Sequence, residues 1–442
     1  MTRSVEIDGG ARKNDEPGGN EIAGMRPDTD ATIGPTRRAD RPLRRPPRRP
    51  LGRLAVLLGL LLAIAPGARA APPTPLAIHY IERRIERPNP LNNEDPVPDD
   101  EGLKGAELGL KDANATGRFV GLAFALKTTI VEPGADIRAA FAEASRDAPP
   151  RFVVVNAPAD DVLALADAPE GKDAVFLNIG ASDVRLRDAD CRARLLHVAP
   201  SRDMLTDALV ELLVFKRWPR ILLVSGPNPG DALYAEALRK SARKFGAKIV
   251  AEASFDARGA DLRDSALREF ALVTRGPEHD VVAVADELGE FGTNLVYNTA
   301  APRPVVGTQG LTPAAWGRAV EAWAAVQLQD RFRKLSGRPM LPVDWAGWMA
   351  THAVGEAAVQ LKSGDPAAIR ALMLSPKFEV GGFKGRSLSF RAWNGQLRQP
   401  LFVLWPGAVV AAAPVEGFLH KRTELDTLGL DQPESACKAF GG

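Results

Sequence analysis

Residues 99–121 read DDEGLKGAELGLKDANATGRFVG, and this stretch decides the fold. Leu103, Ala106, Leu110 and Ala113 fall at i, i+3, i+7 and i+10, which places them on one face of a helix. Asp99, Asp100 and Glu101 put negative charge where a helix N-terminus favours it. Glu107 and Lys111 make an i, i+4 pair of the favourable orientation. Turn residues at 114–117 predict the helix end. Apolar runs at 76–80 and 119–126 predict a strand on either side. A helix joining two such strands is the crossover that builds a parallel sheet.

The unit recurs down the chain. A helix at 134–144, with Ile137, Ala140, Phe141 and Ala144 on one face, leads to a strand at 152–155. A short helix at 160–166 precedes strands at 174–177 and 195–198. Ser201 predicts the N-cap of a long helix reaching Trp218, with Met204, Ala208, Leu212 and Phe215 as its stripe. Strands at 221–224, 248–251, 281–285 and 304–307 then alternate with helices at 230–245 and 264–273. The strands are continuous rather than alternating apolar runs, so both sheet faces are expected to be covered. Trp316, Ala319, Val320, Trp323, Gln327 and Phe332 keep the helical period and read as core rather than as a ligand box. Asp344 caps a further helix reaching Leu361. Residues 378–410 alternate, and Gly381-Gly382 and Asn394-Gly395 predict antiparallel strands with tight turns. Residues after 414 are expected to lie as a tail on the surface.

The chain's 442 residues suffice for two domains, and 45% hydrophobic with 25% charged residues is a globular composition. Residues 1–70 carry 13 Lys/Arg against 8 Asp/Glu, a net of +5, so a whole-chain charge of +2 leaves −3 for residues 71–442. That part has no basic excess for a phosphate backbone, which argues against nucleic acid as a partner. Arg37, Arg38, Arg41, Arg44, Arg45, Arg48, Arg49 and Arg53 precede an apolar run at 54–65, a Pro66-Gly67 break and Ala68-Arg69-Ala70. This is the pattern of a secretory signal peptide behind a long basic leader, cut before Ala71. The apolar run is short for a membrane span, and a retained anchor is the alternative. No cysteine near the cut indicates a lipoprotein; initiation at Met25 would shorten the leader. A general secretory route is expected, with twin-arginine export as the alternative. Cys191 and Cys437 both lie in the exported part, so a disulfide between them is expected in an oxidising compartment. Two separate buried thiols are the other possibility.

Gly105-Ala106-Glu107-Leu108, Lys111-Asp112-Ala113-Asn114 and Gly117 resemble the first helix of type I periplasmic substrate-binding proteins, the branched-chain amino-acid-binding relatives that feed ABC transporters. The later segments keep that family's order along nearly the whole exported part. The resemblance implies an α/β fold of two doubly wound parallel-sheet lobes joined by a three-crossing hinge, near Pro200, Gly307 and Phe378. Lobe 1 would be 74–199 plus 308–377, lobe 2 would be 200–307 plus 378–415, and 416–442 the tail. Residues 385–390 with Asn394-Gly395 resemble the family's returning hairpin. Gln327, Leu328, Arg331, Phe332 and Asp344-Trp345 resemble a subgroup associated with pyrroloquinoline-quinone-dependent alcohol oxidation systems. The implied function is the periplasmic solute-binding component of an ABC importer. Its ligand would be a small organic molecule (an amino acid or a compound of alcohol metabolism), its partner a membrane permease, and its state a monomer without a cofactor. The alternative is a periplasmic accessory or sensory module for such an oxidation system.

No G-x-S-x-G, G-x-x-x-x-G-K-[ST] or H-E-x-x-H motif occurs, and the five histidines (79, 197, 279, 352 and 420) have no metal-ligand spacing. These absences read against an enzyme, although a triad assembled in space is an alternative. Open α/β sheets bind ligands at the C-terminal ends of their strands. That rule selects Asn156 and Ala157, then Asn178, Gly180, Ala181 and Ser182, in one lobe. It selects Asn228, Asp231, Asp286 and Glu287 in the other. Asparagines, Ser182 and exposed N–H groups suit a carboxylate or carbonyl, and Asp286 or Glu287 could hold an ammonium. Each residue singly also reads as an ordinary loop polar. The family's amino-acid binders carry hydroxyls in the first two loops and aromatic residues in the second lobe. Here Asn156-Ala157-Pro158 has no hydroxyl and Gly226-Pro227-Asn228 no aromatic, although Tyr234 is near. The pocket therefore departs from the usual α-amino-acid pattern. The acidic run Asn92, Asn93, Glu94, Asp95, Asp99, Asp100 and Glu101 fits no calcium loop, so no metal is expected.

Overall fold

The computed structural model describes residues 74–87, 96–256 and 266–441. The leader, the signal peptide and residues 92–95 of the acidic run lie outside them.

The first sheet is built from β1 (Thr74–Arg83), β2 (Leu122–Val131), β3 (Phe152–Asn156), β4 (Val175–Asn178) and β5 (Leu195–His197), parallel throughout in the order β2-β1-β3-β4-β5. Its crossovers are α1 (Leu103–Gly117), α2 (Ile137–Ala144) and α3 (Ala159–Ala166). Successive strand residues feed opposite cores. Ile78, Phe152 and Val154 pack on one side; Ile81, Val153 and Val155 pack on the other. This double coverage is what the uninterrupted apolar strands predict.

The second lobe repeats the plan after α4 (Arg202–Phe215), which Ser201 caps as expected. It contains β6 (Arg220–Ser225), α5 (Pro229–Phe245), β7 (Lys248–Ser254), α6 (Ala266–Val273), β8 (Val281–Ala285), α7 (Gly292–Leu295) and β9 (Val305–Gly307). The sheet order is β7-β6-β8-β9, again all parallel. After β10 (Thr312–Ala314), α8 (Ala325–Ser336), α9 (Pro342–Leu361) and α10 (Pro366–Met373) return to the first lobe, where α9 lies along α1. A small antiparallel sheet follows: β11 (Val380–Gly381), β12 (Ser387–Phe390) and β13 (Leu397–Arg398). It abuts first-lobe residues: Trp345 Nε1 donates to Gly382 O at 3.2 Å, and Arg187 Nε donates to Gln396 Oε1 at 2.9 Å. Finally β14 (Leu401–Trp405) pairs antiparallel with β10 on one side and with β15 (Ala408–Ala413) on the other, and both pack against α4.

Two local readings are corrected. The helix expected through Trp316 starts only at Ala325, because Trp323 and Ala324 both take left-handed backbone (φ 54° and 63°). Asn114 does not end α1. It lies inside the helix, and its side-chain amide pairs with both backbone groups of Phe124, at 2.7 and 2.8 Å. Cys191 and Cys437 form a disulfide in the structure, with Cα atoms 5.6 Å apart.

α1 and α9 meet without side chains between them. A Cβ on Gly105 would collide with the Asp344 carbonyl, and one on Gly109 with Thr351 Oγ1 and the Trp348 carbonyl. Neither can be accommodated by a rotamer change, since backbone stands in the way. Gly109→Val is therefore expected to lower stability by about 3 kcal/mol, the upper range for overpacking, read as a shift in the urea midpoint at unchanged slope. A loss no greater than that of an exposed helical glycine, roughly zero, would contradict the close approach.

Glu211 on α4 is fully buried; its Oε2 accepts the Val415 N–H at 2.8 Å and its Oε1 has no hydrogen-bond partner among the described residues. Burial, reinforced by the charge of Asp207, pushes its pKa up to about 8 from the ordinary 4.5. Between those values the folded state holds a proton that the unfolded state has lost, so this contribution to stability is full below 4.5 and lost as pH rises through 8. Glu211→Gln is expected to flatten that part of the profile. Its stability relative to wild type should improve between pH 5 and pH 8.5 in paired urea melts; an offset constant with pH would refute the assignment.

Candidate functional site

Strand order reverses between β1 and β3 in the first sheet and between β6 and β8 in the second. Such switch points open a crevice at the C-terminal ends of the strands. At the first crevice the Tyr80 hydroxyl donates to Glu82 Oε2 at 2.5 Å. Asn156 Nδ2 lies 3.4 Å from Tyr80 Oη and 3.5 Å from the Glu101 carbonyl, a loose contact. Burial raises the Glu82 pKa, and burial with the nearby charge of Asp344 pushes Glu101 up to about 7. Asp344 itself, at the start of α9, accepts the Gly102 N–H at 2.8 Å and pairs with Arg338. The N-terminus of α1 is thus capped by a carboxylate from α9 rather than by its own preceding acids.

The other first-lobe residues are committed to backbone. Asn178 is fully buried; its Oδ1 accepts the N–H groups of Gly180 and Ala181 at 3.2 and 2.9 Å, and its Nδ2 donates to Ala181 O at 2.8 Å. Ala157 and Ala181 sit in the core, and Gly180 abuts Asn156 Oδ1. The Ser182 carbonyl accepts the Arg202 N–H at 2.8 Å.

At the second crevice Asp231 Oδ2 accepts the Asn228 N–H at 3.0 Å and Oδ1 accepts the Glu287 N–H at 2.7 Å, sewing the β6 loop to the β8 loop. Asp286, considered above as an ammonium partner, instead spends both oxygens on Glu290, Phe291 and Gly292 N–H groups at 2.7–2.9 Å. Asp231 and Asp286 are both wholly buried, whereas Glu287 reaches out of its loop to Arg202. Asn228 Nδ2 donates to Glu290 Oε2 at 2.8 Å.

One residue joins the two edges. Arg202, the first helical residue of α4, donates through Nη1 to Asp183 Oδ2 at 2.8 Å in the first lobe's β4 loop. Its Nε and Nη2 grip both oxygens of Glu287 at 2.7 Å in the second lobe's β8 loop. Burial opposes the charge, but the bonds and charges of Glu287 and Asp183 outweigh it and hold the guanidinium above its ordinary pKa. The bidentate geometry fixes orientation as well as charge. Arg202 and Asp183 were absent from the sequence selection. The available signal was a cation in the first turn of a helix, where the dipole disfavours it unless acids are at hand.

Among the described residues no helix is long and apolar enough to cross a membrane. The chain is similar to a branched-chain amino acid ABC transporter periplasmic ligand-binding protein from Burkholderia xenovorans, at 14% identity and TM-score 0.65, over 83% of this chain and all (100%) of that one. It is also similar to a leucine-, isoleucine-, valine-, threonine- and alanine-binding protein from Brucella ovis in a closed conformation, at 15% identity and TM-score 0.61, over 83% and 99%. A solute-binding protein of an ABC transporter from R. palustris, in complex with benzoate, aligns at 13% identity and TM-score 0.60, over 83% and 100%. Such identities establish the shared fold of two parallel-sheet lobes. Comparison with curated proteins returns no match. Residues 100–405, well over half of the chain, match the family described as periplasmic binding protein. The chain belongs to that family.

Proposed function

We propose that this chain is the solute-binding component of an ABC importer, exported to the periplasm by cleavage before Ala71. It takes a small organic ligand between its lobes and presents the closed form to a membrane permease. The observation that carries this reading is the meeting of the two strand-end edges at Arg202, within the reach of one guanidinium. Lobe closure in such a protein expels water and brings groups from both edges onto one ligand. Arg202, Glu287, Glu101 and Asn156 are among the polar groups at these edges. A ligand carrying a carboxylate would compete with Glu287 for Arg202, and an amine would find Glu101. The benzoate complex of a solved neighbour supports a small organic ligand of this kind.

Titration calorimetry with amino acids, short organic acids, aldehydes and alcohols is expected to find a saturable ligand whose binding contracts the radius of gyration in X-ray scattering. Glu287→Gln, which takes a carboxylate from Arg202, is expected to enlarge the ligand-free radius. A chain that binds none of these solutes and keeps one radius throughout would overturn the proposal.

A further inference from the structure

A second concave site lies away from the strand ends. It is a cavity of about 610 Å³ between the C-terminal half of α1, the middle of α9 and the loop between β11 and β12. Asp112 and Thr116, on its wall, stand ten and fourteen residues along α1 from Gly102, or about 15–21 Å at 1.5 Å per residue. The site is therefore separate from the β1/β3 crevice.

Its walls are rings. Trp323 is 49% exposed although it is among the largest side chains of the protein. His352 stacks on Trp348 with centroids 4.8 Å apart and planes 13° from parallel, and Phe383 lies 5.6 Å from Trp348. Trp323 and Phe383 both hold left-handed backbone, at φ 54° and 56°, a conformation bulky residues rarely adopt and one that collects at functional sites. Both rings line the cavity.

The charges of the wall are unequal. Arg331 is neutralised by Asp112, and Arg386 by Glu424. Lys384, also on the wall, is buried and directs its Nζ away to Gln399 Oε1 and Pro400 O, and burial lowers its pKa. Burial lowers the His352 pKa against the opposing charges of Glu356 and Asp112. Glu356, one turn beyond His352 on α9, lines the cavity, and its carboxylate acts on the His352 ring but meets no Lys or Arg among the described residues. The site therefore combines aromatic faces with a carboxylate that no Lys or Arg neutralises among the described residues, which is the arrangement that attracts an organic cation.

We propose that this cavity binds a small organic cation, a quaternary or protonated amine, seated against Trp323 and paired with Glu356. The site stands independently of the interlobe reading. Its size suits a small-molecule ligand.

Tryptophan fluorescence of the full exported chain, titrated with choline and with 3,3-dimethylbutan-1-ol, tests it. The alcohol has choline's shape without its charge. Choline is expected to give a saturable change and the alcohol at least tenfold weaker binding. Glu356→Gln, at a part-exposed position, should weaken choline about tenfold. Trp323→Ala should abolish its binding, with the circular dichroism melt confirming that the fold is kept. Glu287→Gln, at the other site, should leave it unchanged. Absence of a choline response, equal binding of the alcohol, or indifference to Glu356→Gln would each overturn the proposal. A response removed by Glu287→Gln instead would assign choline to the interlobe crevice and also refute it.

Discussion

The bare contact between α1 and α9 sets the geometry of the first lobe. Two helices can come this near only where one presents no side chain, and Gly105 and Gly109, spaced i and i+4, supply that strip on α1. Once the backbones touch, polar groups follow. Thr351 Oγ1 donates to the Ala106 carbonyl at 3.1 Å, and Asp344 takes the Gly102 N–H. Asp344 in turn holds Arg338, whose guanidinium also grips Asp100. The start of α1, and with it Glu101 beside the β1/β3 crevice, is therefore positioned by a helix that lies more than 200 residues later in the chain.

Arg202 plays the corresponding part between lobes. A guanidinium at the first turn of α4 meets the positive end of the helix dipole and is nearly buried, two costs that an isolated arginine would not bear. Asp183 and Glu287 offset both, and they come from different sheets. The local electrostatics of one helix terminus are satisfied only when the two halves of the protein stand in this arrangement.

Much of this was legible in the residues. Continuous apolar strands separated by amphipathic helices give a doubly covered parallel sheet, and 152–155 and 281–285 are wholly buried strands, as their composition implies. Periodicity did not reveal that Gly105 and Gly109 are buried while Leu103 and Leu110 are only half covered, because a close helix contact is marked by missing side chains rather than apolar ones. It extended a helix through Trp323, where tertiary contacts impose a left-handed break: that ring stacks on Phe402, from β14, at 6.1 Å. The strand-end rule found the right loops but could not tell which side chains those loops consume. Asn178, Asp231 and Asp286 share composition with ligand groups and are used up by backbone N–H groups. Pairings such as Arg202 with Glu287, 85 residues apart, leave no local trace.

The C-terminal segment is anchored on both sides. Gly429 is fixed to the second lobe, its N–H on Asp207 and its carbonyl on Lys244. Cys437 is bonded to Cys191 in the first lobe. Eight peptide units between those anchors can stretch to no more than about 28 Å. The last stretch of the chain is therefore a tether with a fixed maximum length, and any excursion of one lobe from the other ends where it draws taut.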